Sequence, residues 1–128
     1  AMQHVLGYTC GNAGSARDWQ SEDRNWWRAK SADTFSPAGP YIVTDLDPRD
    51  VRVSARINGK EVQSESTRYL IFDVPAVVAY TSRFVTLEPG DMIYTGTPGE
   101  PGEMKDGDVC EIEIEGFGVL RNPIKLEQ

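Results

Sequence analysis

The stretch VRVSARINGKEVQSES, residues 51–66, decides the fold. Its first seven residues alternate. Val51, Val53, Ala55 and Ile57 fall on one face and Arg52, Ser54 and Arg56 on the other, the period of a half-buried strand rather than a helix. Asn58-Gly59 follows, the pair favoured where two successive residues must take positive φ in a tight type I′ turn. Lys60 to Ser66 then returns as the partner strand. Upstream, HVLGYTC (4–10) reads as a strand, and GNAG bends the chain into a short helical turn. Tyr41 to Thr44 is a β-branched run behind the loop SPAGP. Downstream, Asp73 is a candidate N-cap for a helix over about 74–84, with Pro75 in its first turn. Val74, Val77, Val78 and Ser82 give that helix one face to lay on a sheet. Met92 to Thr95 reads as a strand after the Pro-Gly-Asp turn at 89–91, and a Gly-rich loop covers 96–107. VCEIEIE (109–115) is a further strand, turned at Gly116-Phe117-Gly118 into VLRNPIKLE. Short strands with one helix predict a β-dominated α+β domain with antiparallel pairing.

Composition narrows the class. The 128 residues, 39% hydrophobic and 26% charged, are long enough for one domain or part of one and have a globular balance. Thirteen Lys or Arg against 20 Asp or Glu give a net charge of −7 and a pI near 4.6. Such a surface repels a phosphate backbone, which argues against nucleic acid as a partner. No run of about 18 apolar residues suits a membrane span, and no basic segment precedes an apolar one as in a signal peptide. The expectation is a soluble cytoplasmic protein. Cys10 and Cys110, the two cysteines, lie 100 positions apart, neither a disulfide framework nor zinc spacing, and read as reduced core thiols.

Taken singly, the chemical candidates are weak. His4 is the one histidine, and no GxSxG elbow accompanies it, so it reads as a partly exposed strand residue rather than a triad base. Glu111, Glu113 and Glu115 share a face, which suits either a hard cation or, more simply, a solvated strand surface with Cys110, Ile112 and Ile114 inward. The glycines at 96, 99, 102 and 107 lack the lysine of a phosphate-binding loop and read as a reversal between strands. Trp19, Trp26 and Trp27 read as packing anchors before ligand-stacking rings.

The order of the pieces is more specific than any piece. GYTCGNAGSARDWQ (7–20), WRAKSADTFSPAGP (27–40), the Asn58-Gly59 hairpin and LEPGDMIYTGTPG (87–99) together resemble the fumarylacetoacetate hydrolase family over essentially the whole chain. The resemblance implies a mixed β-roll, incomplete here at its N-terminal side, with residues 1–128 forming part of a catalytic domain. It implies a homodimer, or complementation by an upstream fragment. It implies a metal-dependent hydrolase that cleaves a C–C bond in a small diketo or oxo acid with Mg²⁺ or Mn²⁺. Lys30 matches the family's active-site lysine, Gln20 a residue that orients substrate or water, and Arg17 and Thr97 substrate contacts. Where the family has an aspartate metal ligand after Gly-Asn, this chain has Ala13, and the family's Glu-x-Glu ligands belong upstream of GYT. A methyl group offers a cation no oxygen. The resemblance therefore implies impaired metal binding, and leaves open an inactive binding or scaffold module, or a decarboxylase or isomerase on the same scaffold.

Overall fold

Backbone pairing in two antiparallel sheets organises the chain in a computed structural model that describes residues 1–126. In order come β1 (Tyr8–Gly11), α1 (Arg17–Glu22), α2 (Trp27–Ser31), β2 (Ala38–Val43), β3 (Arg52–Ile57), β4 (Lys60–Ser66), α3 (Val74–Thr81), β5 (Val109–Ile114) and β6 (Val119–Pro123). The larger sheet has the order β4-β3-β5-β6, and β1 pairs with β2 in the smaller. The hairpin forms as its sequence requires, with Asn58 and Gly59 at φ 52° and 78°. A bulge between Ala55 and Arg56 adjusts the register of β3 on β4.

The alternating face of β5 is matched by arginines. Glu113 accepts from Arg56 Nη1 at 2.6 Å, and Glu111 lies 3.4 Å from Arg121 of β6, its register partner. Such half-exposed pairs contribute at most about 1 kcal/mol each, but they fix which face is out. Ser54 is buried between Arg52 and Arg56 on that same face of β3, so this face is less open than the alternation predicts. β1 lies across β5 and β6. Cys10, Cys110, Ala55, Val51, Ala29 and above all Phe117, 1% exposed, form the small core. Both cysteines are free and buried, and burial pushes both thiols up from their ordinary values.

Four expectations are corrected. β1 starts at Tyr8 rather than at residue 4, because its partner β2 ends at Val43; Met2–His4 form a 3₁₀ turn instead, with His4 exposed. The helix after Asp73 forms, and the Asp73 carboxylate caps it by accepting from the Ala76 amide at 2.8 Å, but it stops at Thr81 and buries no residue fully, Val74, Val77 and Val78 being half-buried and Ser82 exposed. Met92 to Thr95 has no ladder partner among the described residues and is not a strand. Trp26 and Trp27 are exposed, so within this chain they anchor no packing. Glu127, the end of the VLRNPIKLE stretch, lies outside the described residues.

The last three corrections share a cause. The chain exposes 9511 Å², whereas a compact monomer of 14.2 kDa exposes about 6,800 Å². The excess includes Ile71 (91% exposed), Phe72, Tyr80, Phe84 (70%) and Met92, an apolar region far richer than isolated surface residues produce. Phe117→Ala is expected to cost about 3–5 kcal/mol in urea unfolding. Phe84→Ala should stay within about 0.5 kcal/mol in a monomer and be destabilising only where a partner covers that face.

Candidate active site

Two short helices form a corner that presents Lys30. The Ala16 amide donates to the Ala29 carbonyl at 3.1 Å, joining the start of α1 to the middle of α2. Arg28 clamps the same corner. Its Nε and Nη2 donate to the two Asp23 carboxylate oxygens at 2.8 and 2.9 Å, Nη2 reaches Glu22 at 3.3 Å, and the guanidinium lies 5.0 Å from the Trp19 ring centroid. The hydrogen bonds that Arg28 donates to Asp23 hold the guanidinium's pKa above its ordinary value. Ala29 between them is fully buried, so α2 turns its smallest side chain into the core and its two cations to either side.

Lys30 Nζ donates to Ser15 Oγ at 2.5 Å and lies 3.5 Å from the Ala13 carbonyl oxygen. Ser15 stands next to the α1 N-cap, Ala16, yet its hydroxyl serves the lysine rather than the helix. Lys30 has no carboxylate within ion-pair distance among the described residues, whereas seven arginine–carboxylate pairs form elsewhere. Arg17 Nη1 donates to Gln20 Oε1 at 2.6 Å, which occupies the amide oxygen and leaves the amide N–H groups to donate. Thus Arg17 with Gln20 and Lys30 with position 13 share the α1–α2 corner. Thr97 belongs to another element: its hydroxyl donates to Gln63 Oε1 of β4 at 3.0 Å, and Gln63 Nε2 donates to the Pro98 carbonyl at 2.6 Å.

Sequence reading missed three residues that connect these parts. Ser36 Oγ donates to the Lys30 carbonyl at 3.0 Å, and Tyr94 Oη donates to the Ser36 carbonyl at 2.5 Å. Ser15 is the third. Thr34 and Ser36 take φ of 70° and 56°, a region non-glycine residues seldom occupy and one that clusters at functional sites. The available sequence signal was Gly11: a Cβ there falls 2.5 Å from Tyr94 Cε1, so the glycine marks a position on which an aromatic ring rests. The donors present do not form a divalent-cation site. Among the described residues no three His, Cys, Asp or Glu converge, residue 13 ends in a methyl group, and Glu111 and Glu113 face arginines.

A β-dominated α+β domain with a lysine on a two-helix corner and a glycine-rich loop fixed to a hairpin is the class these observations define. The chain belongs to the fumarylacetoacetate hydrolase family: residues 1–125 match Fumarylacetoacetate (FAA) hydrolase C-terminal. It is similar to the 5-carboxymethyl-2-hydroxymuconate delta-isomerase structure from Mycobacterium smegmatis, 48% identical with a TM-score of 0.96 over 99% of this chain and 51% of that one. It resembles maleylpyruvate hydrolase from Sphingobium, solved with manganese(II) and pyruvate, at 33% identity and a TM-score of 0.88 over 99% of this chain and 47% of that one. It is 41% identical to a mitochondrial oxaloacetate tautomerase of Xenopus laevis over 97% of this chain and 43% of the relative. The chain spans about half the length of the curated relatives it matches.

Burial holds the Tyr94 phenol above its ordinary value of 10.0. A raised folded value means that this contribution is full below pH 10 and is lost as pH rises through the folded value. Wild type is therefore expected to be about 1 kcal/mol more stable than Tyr94→Phe in urea at pH 8. That gap should close above pH 10, with the two buried thiols titrating alike in both proteins. A gap independent of pH would mean that the hydroxyl is not the donor.

Proposed function

We propose that this chain is part of the catalytic domain of an enzyme acting on a small oxo or diketo acid, with C–C bond hydrolysis as the reaction. Lys30 carries the reading. Its ammonium is half-buried, held by two neutral oxygens and opposed by no carboxylate among the described residues. An ammonium in that setting attracts a substrate oxygen, and attracts it more strongly as enolate charge develops there. Gln20, its amide oxygen taken by Arg17, offers N–H donors to substrate or water. Arg17 and Thr97 are the proposed carboxylate contacts; the Thr97 hydroxyl, which donates to Gln63 Oε1 here, would exchange that partner for the substrate carboxylate. In the hydrolysis, water adds to the carbonyl carbon, the C–C bond breaks, and the departing carbon leaves as an enolate that takes up a proton.

Mg²⁺ or Mn²⁺ enters this reading through the family, and the Sphingobium relative was solved with manganese. The residues in hand do not make that site, so the roles assigned to this chain are those of its own side chains. Ala13 favours a second reading, a binding or scaffold module that keeps the fold without turnover. The relatives named as isomerase and tautomerase support an isomerising variant of the first; it and a decarboxylating variant are separable by product analysis.

A second copy of the chain or the remaining half of a longer protein is the proposed cover for the exposed apolar region. The excess of roughly 2,700 Å² is beyond the ~800 Å² per partner of an ordinary interface. Light scattering at micromolar concentration should find an oligomer; a monomer that stays soluble would overturn this. The cytoplasm is the proposed compartment, and no helix among the described residues is long and apolar enough to cross a membrane.

With oxalate present, Mn²⁺ titrated into the protein and followed by its paramagnetic signal should show no stoichiometric binding at micromolar ion. Ala13→Asp should tighten binding about tenfold or more by restoring one anionic ligand. Tight binding by the unchanged chain would remove the argument for impairment. An Ala13→Asp variant that still ignores the ion, even with the complementing half supplied, would favour the scaffold.

A further inference from the structure

Thr97 and Lys30 stand on different elements, so something must set their separation. Between Val85 and Gly107 the chain has no strand or helix, and among the described residues side-chain hydrogen bonds tie the loop 87–99 to the rest of the fold at two places. One is the Gln63 amide, which holds Thr97 and Pro98 to β4. The other is Tyr94. Its ring rests on Gly11 at the end of β1, with the site of a glycine Cβ 2.5 to 3.2 Å from three ring carbons. Its hydroxyl donates to the Ser36 carbonyl at 2.5 Å and lies 3.4 Å from that of Pro37. Ser36 in turn holds the Lys30 carbonyl through its own hydroxyl, and the Pro37 carbonyl accepts from the Asn12 amide at 3.0 Å. One side chain therefore ties the loop carrying Thr97 to both segments that place Lys30: the Gly11–Ala13 end of β1 and the turn after α2.

We infer that Tyr94 is a positioning and specificity-determining residue that sets the distance between the Lys30 ammonium and the Thr97 hydroxyl, and with it the length of oxo acid the site accepts. This rests on the reading of Lys30 as the substrate-facing cation. A short ligand satisfied by Lys30 alone is indifferent to that distance. A longer one that spans to Thr97 depends on it. Ser36 supports the assignment: a serine held at φ 56° spends both its hydroxyl and its carbonyl on this connection, a strained conformation kept where its hydrogen bonds require it.

The test compares two probes, oxalate and a longer acylpyruvate, by dissociation constant in wild type, Tyr94→Phe and Gly11→Ala. Tyr94→Phe keeps the ring and removes the tie; Gly11→Ala displaces the ring by an independent route. Both variants are expected to weaken acylpyruvate about tenfold while changing oxalate less than about twofold. Equal weakening of both probes, the pattern of a merely structural role, would overturn the inference, and so would no change in either. Lys30→Gln separates the two levels. If it loses both probes, the site reading stands and the Tyr94 comparison is decisive; if it binds both as wild type does, the site reading itself fails.

Discussion

The structure depends on one residue held in a left-handed conformation. Asn58, at φ 52°, makes the first half of the tight turn between β3 and β4. It also reaches sideways to the other neighbour of β3. Its amide donates to the Val109 carbonyl at 2.9 Å, its Oδ1 accepts from the Val109 amide at 2.9 Å, and its Nδ2 donates to Asp108 at 2.8 Å. One residue thus bears on both flanking strands, through its backbone turn toward β4 and its side chain toward β5. A slip of one residue between β3 and β5 would turn every β5 side chain over, putting Glu111 and Glu113 where Cys110 and Ile112 pack. Glycine at this position would satisfy the turn and keep the backbone bond to Val109, but would leave β5 without the two side-chain hydrogen bonds.

From β5 the constraint passes to the site. β1 lies across β5 and β6, and the Asn12 side chain at its end donates to Asn122 of β6 at 3.1 Å. That bond fixes where the turn at 13–15 begins, and the turn carries the two oxygens that hold the Lys30 ammonium. The Arg28 clamp fixes the other side by locking α2 to α1. These helices are of six and five residues, too short to persist on propensity alone, so they exist because the corner holds them. Lys30 is placed by tertiary contacts at both ends rather than by a stable helix.

What the sequence made legible follows the same division. Elements whose cause is local were readable: the Asn58-Gly59 turn, the Asp73 cap with Pro75 behind it, and the carboxylate face of β5. Elements whose cause lies elsewhere were not. Met92 to Thr95 has the β-branched and aromatic character of a strand, but a strand needs a backbone partner, and this one has none among the described residues. Trp26 and Trp27 have the composition of packing anchors with nothing in this chain to pack on. The motif blocks placed Lys30, Gln20, Arg17 and Thr97 in the reading, yet the residues that hold them, Ser15, Ser36 and Tyr94, act through contacts between distant segments that no periodicity encodes.

Ala13 has an electrostatic consequence beyond the lost oxygen. A carboxylate at that position would set a negative charge beside the Lys30 ammonium, and the pair would be close to neutral toward an incoming acid. With a methyl group there, the ammonium keeps its full charge against two neutral oxygens, so its local attraction for a carboxylate is greater. The rest of the chain opposes it at long range, because a net charge of −7 repels any anion beyond the first contacts. At physiological ionic strength that repulsion is screened within about 8 Å, while a half-buried ammonium is screened much less. On the reading proposed for Lys30, a methyl group at position 13 therefore disfavours a cation at this corner and favours an anion there.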